Sequence, residues 1–159
     1  MHVTLFKKPV SWKSILLYIG GTFAAAGVSA LLGMPDFEGL TKPPLTPPQW
    51  VFPVAWSILY LLMGYAAYRI SVSEDTAAPT ALRTYWLQLA VNALWTFFFF
   101  RLDWRLFAFF WLLLLIVLIV RTITQFQSID KIAARLLYPY LAWCAFAAYL
   151  NLAFWLLNR

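Results

Sequence analysis

Three apolar segments of this chain carry aromatic, carboxamide and hydroxyl side chains at helical spacing, and the third segment shows the pattern most fully. Its members recur at positions i, i+4, i+7, i+8 and i+11, which lie on one face of a helix. They are Gln88, Asn92, Trp95, Thr96 and Phe99. Side chains of these types bind other molecules by stacking and hydrogen bonding. The chemistry predicted for this face is therefore recognition of a flat, largely apolar ligand.

The second and fifth apolar segments repeat this pattern. The face of the second segment consists of Phe52, Trp56, Tyr60, Met63 and Ala67, with Ser57 beside it. The face of the fifth consists of Trp143, Ala147, Leu150, Asn151 and Phe154. Because polar side chains in a membrane turn away from lipid, we expect the three faces to converge on a common interior. The sequence thus predicts a pocket lined by aromatic rings with a few amides and hydroxyls among them.

The same polar residues also fit a purely structural role. Asn and Gln side chains inside membranes bond neighbouring helices, for about 0.6–2 kcal/mol each. On that interpretation the faces only hold the bundle together, and the chain is a structural or interaction protein without a ligand. Trp56, Trp95 and Trp143 favour a pocket, because they fall within apolar segments, where an indole N–H needs a partner.

Other kinds of site lack the residues that they require. His2 is the only histidine and Cys144 the only cysteine, so the sequence predicts no metal site and no intramolecular disulfide. No acidic or basic residue falls near the centre of an apolar segment, which argues against proton-coupled transport through buried carboxylates. A haem would find only thiol, thioether or phenol groups as axial ligands at depth. We therefore expect no required cofactor, and a porphyrin or haem only as a ligand held by stacking and shape.

The elements that position these faces are membrane spans. Of the 159 residues, 64% are hydrophobic and only 11% are charged, a composition unlike that of a soluble domain. Each apolar segment can cross a hydrocarbon core of about 30 Å as a helix of roughly 20 residues. The segments cover residues 15–32, 51–70, 81–100, 106–123 and 133–157. The predicted fold is all-α, with one domain over residues 1–159 folded as an integral membrane bundle of five transmembrane helices.

The distribution of charge predicts the orientation of the bundle. The net charge of +6 is spread over chain ends and loops, so we expect no nucleic-acid partner. With five spans, eight Lys and Arg residues, including Lys7, Lys8 and Lys13, lie on the amino-terminal side and four on the other. The positive-inside rule then puts the N-terminus in the cytoplasm. These lysines and the following apolar segment also resemble a cleavable signal peptide, but the segment continues past the candidate cleavage sites, which favours a span.

Prolines mark two boundaries in the chain. The run Lys42–Trp50 contains four prolines, which stiffen the loop between the first two spans. Thr46 and Gln49 have capping-box spacing, so this run predicts a helix that begins at Pro47. Pro139, a few residues into the fifth segment, should kink that helix or mark its true beginning.

Together these segments resemble the TspO/MBR family of tryptophan-rich sensory and translocator proteins. The loop and second span carry the most specific match, at Lys42-Pro43-Pro44, Thr46-Pro47-Pro48-Gln49-Trp50-Val51-Phe52-Pro53, Ala55-Trp56 and Leu59-Tyr60. The third span adds Gln88-Leu89, Asn92 and Leu94-Trp95-Thr96, and the fifth adds Pro139-Tyr140-Leu141, Trp143, Ala147 and Leu150-Asn151. The first and fourth spans match in length and character.

The resemblance implies a five-helix membrane bundle in which the loop 33–49 covers a pocket that opens on one side. Family members bind porphyrins, haem-related tetrapyrroles, sterols and drug-like molecules there. The chain would be a receptor, sensor or transporter in the cytoplasmic membrane of a bacterium, surrounded by lipid, with a homodimer left open. The ligand-binding residues implied are Phe37, Trp56, Tyr60, Asn92, Trp95, Trp143 and Ala147, with Gln88, Thr96 and Asn151 in secondary positions.

An alternative activity and two departures accompany the resemblance. Some bacterial members are reported to degrade porphyrins under light, attributed to tryptophans that match Trp56 and Trp143, so a light-dependent enzyme stands beside the receptor. Leu45 replaces an aromatic residue that relatives often place between the two proline pairs, so the contacts of the loop should differ. Tyr149 has no Lys or Arg within reach before Arg159, so the forward sterol motif of animal members is missing.

Overall fold

The structure is a computed structural model that describes residues 10–33 and 37–159. The predictions that involve His2, Lys7 and Lys8 lie outside those residues. Within the two described ranges the chain is helical and contains no strand, as the all-α prediction requires. The helices are α1 (Trp12–Leu32), α2 (Val51–Ser71), α3 (Ala78–Thr96), α4 (Arg105–Ile129), α5 (Lys131–Arg135) and α6 (Tyr138–Leu157), and a π-helical turn (Phe97–Arg101) continues α3.

Within the residues that the structure describes, four stretches of helix are long and apolar enough to cross a membrane. They are α1, α2, α4 and Lys131–Leu157, which contains α5 and α6. Large apolar side chains such as Leu31 and Phe110 are exposed on the outside of these helices, where lipid would surround them. α3 carries more polar side chains, among them the buried Gln88 and Asn92. The protein is therefore a helical membrane protein.

The long helices pack as a ring. α1 packs on α2 and α3, α3 packs on α4, and α4 packs on α6. α2 touches α6 only slightly and contacts α5 as well. The buried core lies mainly between α2, α3, α4 and α6 and consists of aromatic and aliphatic side chains. α1 thus occupies the place in the ring between α2 and α3.

The proline-rich run does not start α2 where its spacing predicts. α2 begins at Val51, four residues beyond Pro47. Pro47 precedes Pro48, and a residue before proline is pushed out of the α region, so the helix cannot begin there. The hydroxyl of Thr46 instead donates to the carbonyl of Pro43 at 2.6 Å and closes a turn within the loop.

The fifth predicted span, 133–157, is divided into α5 and α6. α6 begins at Tyr138 with Pro139 in its first turn, so Pro139 marks the true beginning of the helix. α5 has a cap of its own, because Oδ1 of Asp130 accepts from the N–H groups of Ile132 at 2.8 Å and Ala133 at 3.3 Å. The chain thus enters the last span through a short, capped turn of helix.

The third and fourth predicted spans also differ from the observed helices at their ends. The predicted span 81–100 leaves α-helical geometry after Thr96, where the N–H of Leu102 bonds to the carbonyl of Phe97 at 3.1 Å, five residues back. α4 continues to Ile129, six residues past the predicted end. Ile129 is buried in the core, so this helix end is held by packing although its sequence is polar.

Asp130 also forms a buried ion pair with α2. Its Oδ2 lies 2.7 Å from Nη2 of Arg69 and accepts from Nε of the same side chain at 2.8 Å. The two side chains are only 9% and 7% exposed. The pair joins the end of α2 to the junction of α4 and α5. Because both charges have left water, removal of either one would leave the other buried with less compensation.

Gly64 sets the close approach of α1 and α2. A Cβ atom at Gly64 would lie 2.8 Å from Cα and 3.3 Å from the backbone N of Ile19. We expect Gly64→Ala to lower the free energy of unfolding by about 1–3 kcal/mol, because a backbone cannot move aside as a flexible side chain can. Denaturation in detergent, followed by circular dichroism, measures this change.

The matched control for this prediction is Gly20→Ala on α1. Nothing lies within 4 Å of a Cβ added at Gly20, so this variant should keep the stability of the parent protein. Equal stability of the two variants would show that α1 and α2 do not meet closely at Gly64.

Candidate ligand-binding site

A cavity of about 640 Å³ lies between α1, α2, α3 and α6, beneath the loop that joins α1 to α2. Its volume falls within the roughly 300–1,000 Å³ typical of small-molecule sites. Aromatic rings form most of its wall, and none of the described residues that line it carries a charge. On α1, α2 and α3 the lining residues lie in the half of each helix nearest the loop, whereas on α6 the lining extends from Phe154 back to Trp143.

The structure brings nearly all of the predicted site residues together around this cavity. The lining includes Phe37, Trp56, Tyr60, Asn92, Trp95, Trp143 and Ala147, together with the secondary positions Thr96 and Asn151. Gln88 is the exception, since it lies outside the lining. It is buried one helical turn below Asn92, and its Oε1 accepts from the hydroxyl of Tyr140 at 2.8 Å. Gln88 therefore takes the role of a helix-packing residue.

Two indoles form a corner in the wall of the cavity. Trp56 of α2 and Trp143 of α6 meet nearly at right angles, with ring centroids 6.5 Å apart and planes inclined by 86°. Trp56 also stacks on Tyr60 at 5.3 Å, and Phe52 holds the edge of Trp143 at 6.0 Å. A flat molecule can stack on one indole while its edge meets the other. The corner is therefore suited to a flat aromatic ligand that contacts both indoles at once.

The polar groups of the cavity are held by neighbouring helices. Nδ2 of Asn92 donates to the hydroxyl of Tyr60 at 3.3 Å, and both side chains are buried. This contact fixes the carboxamide of Asn92 in the lining, where it can orient the polar groups of a ligand. Asn92 is thus both a helix-packing residue and a candidate ligand contact.

Asn151 connects the other side of the lining to α4. Its Oδ1 accepts from Nε1 of Trp95 at 3.0 Å, and its Nδ2 donates to the carbonyl of Arg105 at 2.7 Å. The indole N–H of Trp95 is therefore satisfied within the protein, as the structural interpretation predicts. Trp95 offers a ligand its ring face and edge rather than its donor.

The loop between α1 and α2 closes one end of the cavity through Phe37. The Phe37 ring is only 8% exposed and stacks on Phe154 at 5.0 Å, with Phe52 and Phe100 each at 5.6 Å. Further along, Thr41 donates its N–H to Oδ1 of Asn158 at 2.8 Å, and Nδ2 of Asn158 donates back to the Thr41 carbonyl at 3.0 Å. The loop is thus tied to the end of α6, as expected for a lid.

Sequence reasoning missed the part of the wall that α1 supplies. Phe23, Ala26, Gly27 and Ala30 of α1, and Gly33 just after it, all line the cavity. The small residues of α1 are visible in the sequence, but small residues serve close helix packing and the lining of a cavity equally well. The sequence therefore shows the small residues of α1 but does not tell whether they pack against a helix or line a cavity.

The chain is similar to known proteins over most of its length. Residues 14–156 match the model of the TspO/MBR family. The chain is 37% identical to the protein CrtK of Rhodobacter capsulatus over 139 residues, which cover 85% of this chain and 87% of that protein. It is 37% identical to the tryptophan-rich sensory protein of Cereibacter sphaeroides over 144 residues, 89% of each chain. It is also 37% identical to the translocator protein of Sus scrofa over 149 residues, covering 89% of this chain and 85% of that one.

These relatives and the family model each extend over most of this chain, and the relatives are themselves matched over most of their length. The segments that match include all four helices that enclose the cavity. The chain therefore belongs to the TspO/MBR family.

Proposed function

We propose that this protein is a membrane receptor or sensor that binds a tetrapyrrole such as protoporphyrin, or a similar flat apolar molecule, in the cavity beneath the loop. The observation that carries the proposal is the corner formed by Trp56 and Trp143, with Asn92 in the same uncharged lining. Stacking on the indoles would supply most of the affinity, and the carboxamide would orient the ligand. Transport of the same ligand would use the same site.

The lining also limits how such a ligand is placed. An isolated carboxylate is costly to bury, and the described lining offers no cation to pair with it. Carboxylates of a bound porphyrin therefore stay at the mouth of the cavity, while its apolar edge lies against Trp56 and Trp143. Phe37 covers the end of the site under the loop.

The proposed arrangement in the membrane has five spans with the N-terminus in the cytoplasm of a bacterium. α3 supports this count, because it packs between α1 and α4 in the ring and runs alongside them. The orientation is supported by basic residues gathered at the end of the bundle opposite the loop. They are Lys13, Arg69, Arg83, Arg121, Lys131 and Arg135. Bacterial relatives such as those of Rhodobacter capsulatus and Cereibacter sphaeroides support the bacterial membrane.

A thermal-shift panel in detergent tests the proposed function. Metal-free protoporphyrin, haem and a sterol are each added to the purified protein, and its unfolding is followed against temperature. A ligand that binds only the folded state, present at about 100 times its Kd, stabilises that state by about 2.7 kcal/mol. We therefore expect protoporphyrin to raise the Tm.

Two results would contradict the proposal of a receptor, one from the thermal-shift panel and one from illumination of the complex. If none of the three compounds changes the Tm, the polar faces only hold the helices together. If illumination of the protoporphyrin complex yields a new product, and Trp56→Phe and Trp143→Phe abolish that product, the protein is the light-dependent enzyme instead.

A further inference from the structure

We infer that ligands enter and leave the cavity sideways from the lipid bilayer, through a slot between the loop-side halves of α1 and α2. The inference rests on the proposed function. Five residues line the cavity and are also exposed: Gly27 and Ala30 on α1, Pro53 and Ser57 on α2, and Gln49 just before α2. The four residues on α1 and α2 define the slot. Its walls carry small or compact side chains, so it leaves room for a flat molecule.

α1 and α2 touch closely at one end, whereas toward the other end both helices line the cavity. Gly64 brings α2 against the backbone of Ile19 in the half of the bundle away from the loop. On the loop side, nothing lies within 4 Å of a Cβ atom added at the lining residue Gly27. Gly27 lies five residues before the end of α1, about 8 Å along the helix axis. The slot therefore lies within the apolar length of α1, where acyl chains would surround it.

The slot presents little polar surface to a passing ligand. Ser57 is its only hydroxyl-bearing member among the described residues, and this hydroxyl donates to the Pro53 carbonyl of its own helix at 2.7 Å. A bonded hydroxyl does not have to give up water or a partner when an apolar molecule passes. The slot is thus compatible with passage of a molecule that already lies dissolved in lipid.

The other sides of the cavity are closed by packed rings or helices. At the loop end, Phe37 is buried among aromatic rings, and Asn158 ties the loop to α6. Along the seam between α2 and α6, Trp56 contacts Tyr140 at 6.2 Å and Trp143 at 6.5 Å. A ligand that passed through either of these sides would have to break several ring contacts at once. A ligand that passed through the slot would leave these contacts in place.

The experiment compares Gly27→Phe with its matched control Gly20→Phe. Both glycines are exposed on α1 and have nothing within 4 Å of an added Cβ, but only Gly27 lines the cavity. Each variant is placed in phosphatidylcholine nanodiscs, and stopped-flow absorbance follows the association and dissociation of metal-free protoporphyrin. We expect Gly27→Phe to slow both rates at least 10-fold, and Gly20→Phe to match the parent protein.

A second pair of variants keeps the test decisive. Ala30→Phe obstructs the same slot and should reproduce the effect if Gly27→Phe folds poorly. Asn158→Ala releases the loop. If the loop were the route, this variant would accelerate both rates and Gly27→Phe would leave them unchanged, which would overturn the inference. A raised Kd with an unchanged dissociation rate in Gly27→Phe would also overturn it, since the new ring would then only fill the cavity.

The two proposals fail in different ways. If the parent protein shows no absorbance change with protoporphyrin, the proposed function fails and the lateral route fails with it. If the parent protein binds protoporphyrin normally but Gly27→Phe and Ala30→Phe exchange it at the parent rates, the lateral route fails alone.

Discussion

Replacing Asn92 and Trp143 together by alanine is expected to weaken protoporphyrin binding about 100-fold. Loss of a central indole costs roughly 2 kcal/mol in a buried site, and loss of a hydrogen bond from a carboxamide costs about 1 kcal/mol. The sum of about 3 kcal/mol corresponds to two factors of ten in Kd. Titration of the porphyrin absorbance band in detergent measures the change in Kd for Asn92→Ala with Trp143→Ala.

Trp155→Ala is the matched control for this double variant. Trp155 lies on α6 like Trp143, but it faces away from the cavity and stacks under the guanidinium of Arg159 at 5.7 Å. It should bind protoporphyrin as the parent protein does. Circular dichroism serves to check that each variant is folded. Parent-like affinity in a folded double variant would place the ligand outside this cavity.

Asp130→Asn should lower the free energy of unfolding by about 3–5 kcal/mol, the largest stability effect that we expect from a single substitution in this protein. Asparagine can still accept from the N–H groups of Ile132 and Ala133, so the cap of α5 is retained. What the variant removes is the carboxylate charge beside Arg69, whose side chain is only 9% exposed. The cost therefore reports the buried ion pair and not the cap.

Asp103→Asn separates the buried pair from an ordinary ion pair. Asp103 lies 2.6 Å from Nη2 of Arg105, but its side chain is 69% exposed, and its positive φ of 55° suits asparagine. Exposed pairs contribute about 0–1 kcal/mol, so this control should change stability little. Chemical denaturation of both variants in the same detergent gives the comparison. A similar small effect at Asp130 would mean that water reaches the Arg69 pair.

The directions of the side chains on α2, α3 and α6 could be predicted from the sequence, but their depth could not. Asn92 and Gln88 lie one turn apart on the same face of α3. Only Asn92 reaches the cavity, because Tyr140 of α6 occupies the space beside Gln88. Helical periodicity defines a face, whereas the size of the side chains on the opposite helix decides where along that face a cavity remains.

Contacts between distant parts of the chain could not be predicted from the sequence either. The loop residue Thr41 and the terminal Asn158 are 117 positions apart, and nothing in either segment indicates that they pair. The two glycines of α1 and α2 illustrate the same limit. Gly64 allows close packing and Gly27 leaves an opening, although a sequence shows both simply as glycine in an apolar helix.

The uncharged wall of the cavity determines which surroundings this protein can respond to. Without fixed charge in the described lining, no Coulomb attraction from the wall retains a guest, so we expect binding in the cavity to depend little on electrostatic screening by salt. On the proposed lateral route, the occupancy of the cavity would then depend on how strongly a compound partitions into the surrounding lipid. On the proposed function, the protein would respond to apolar solutes of the membrane rather than to the ionic state of the water beside it.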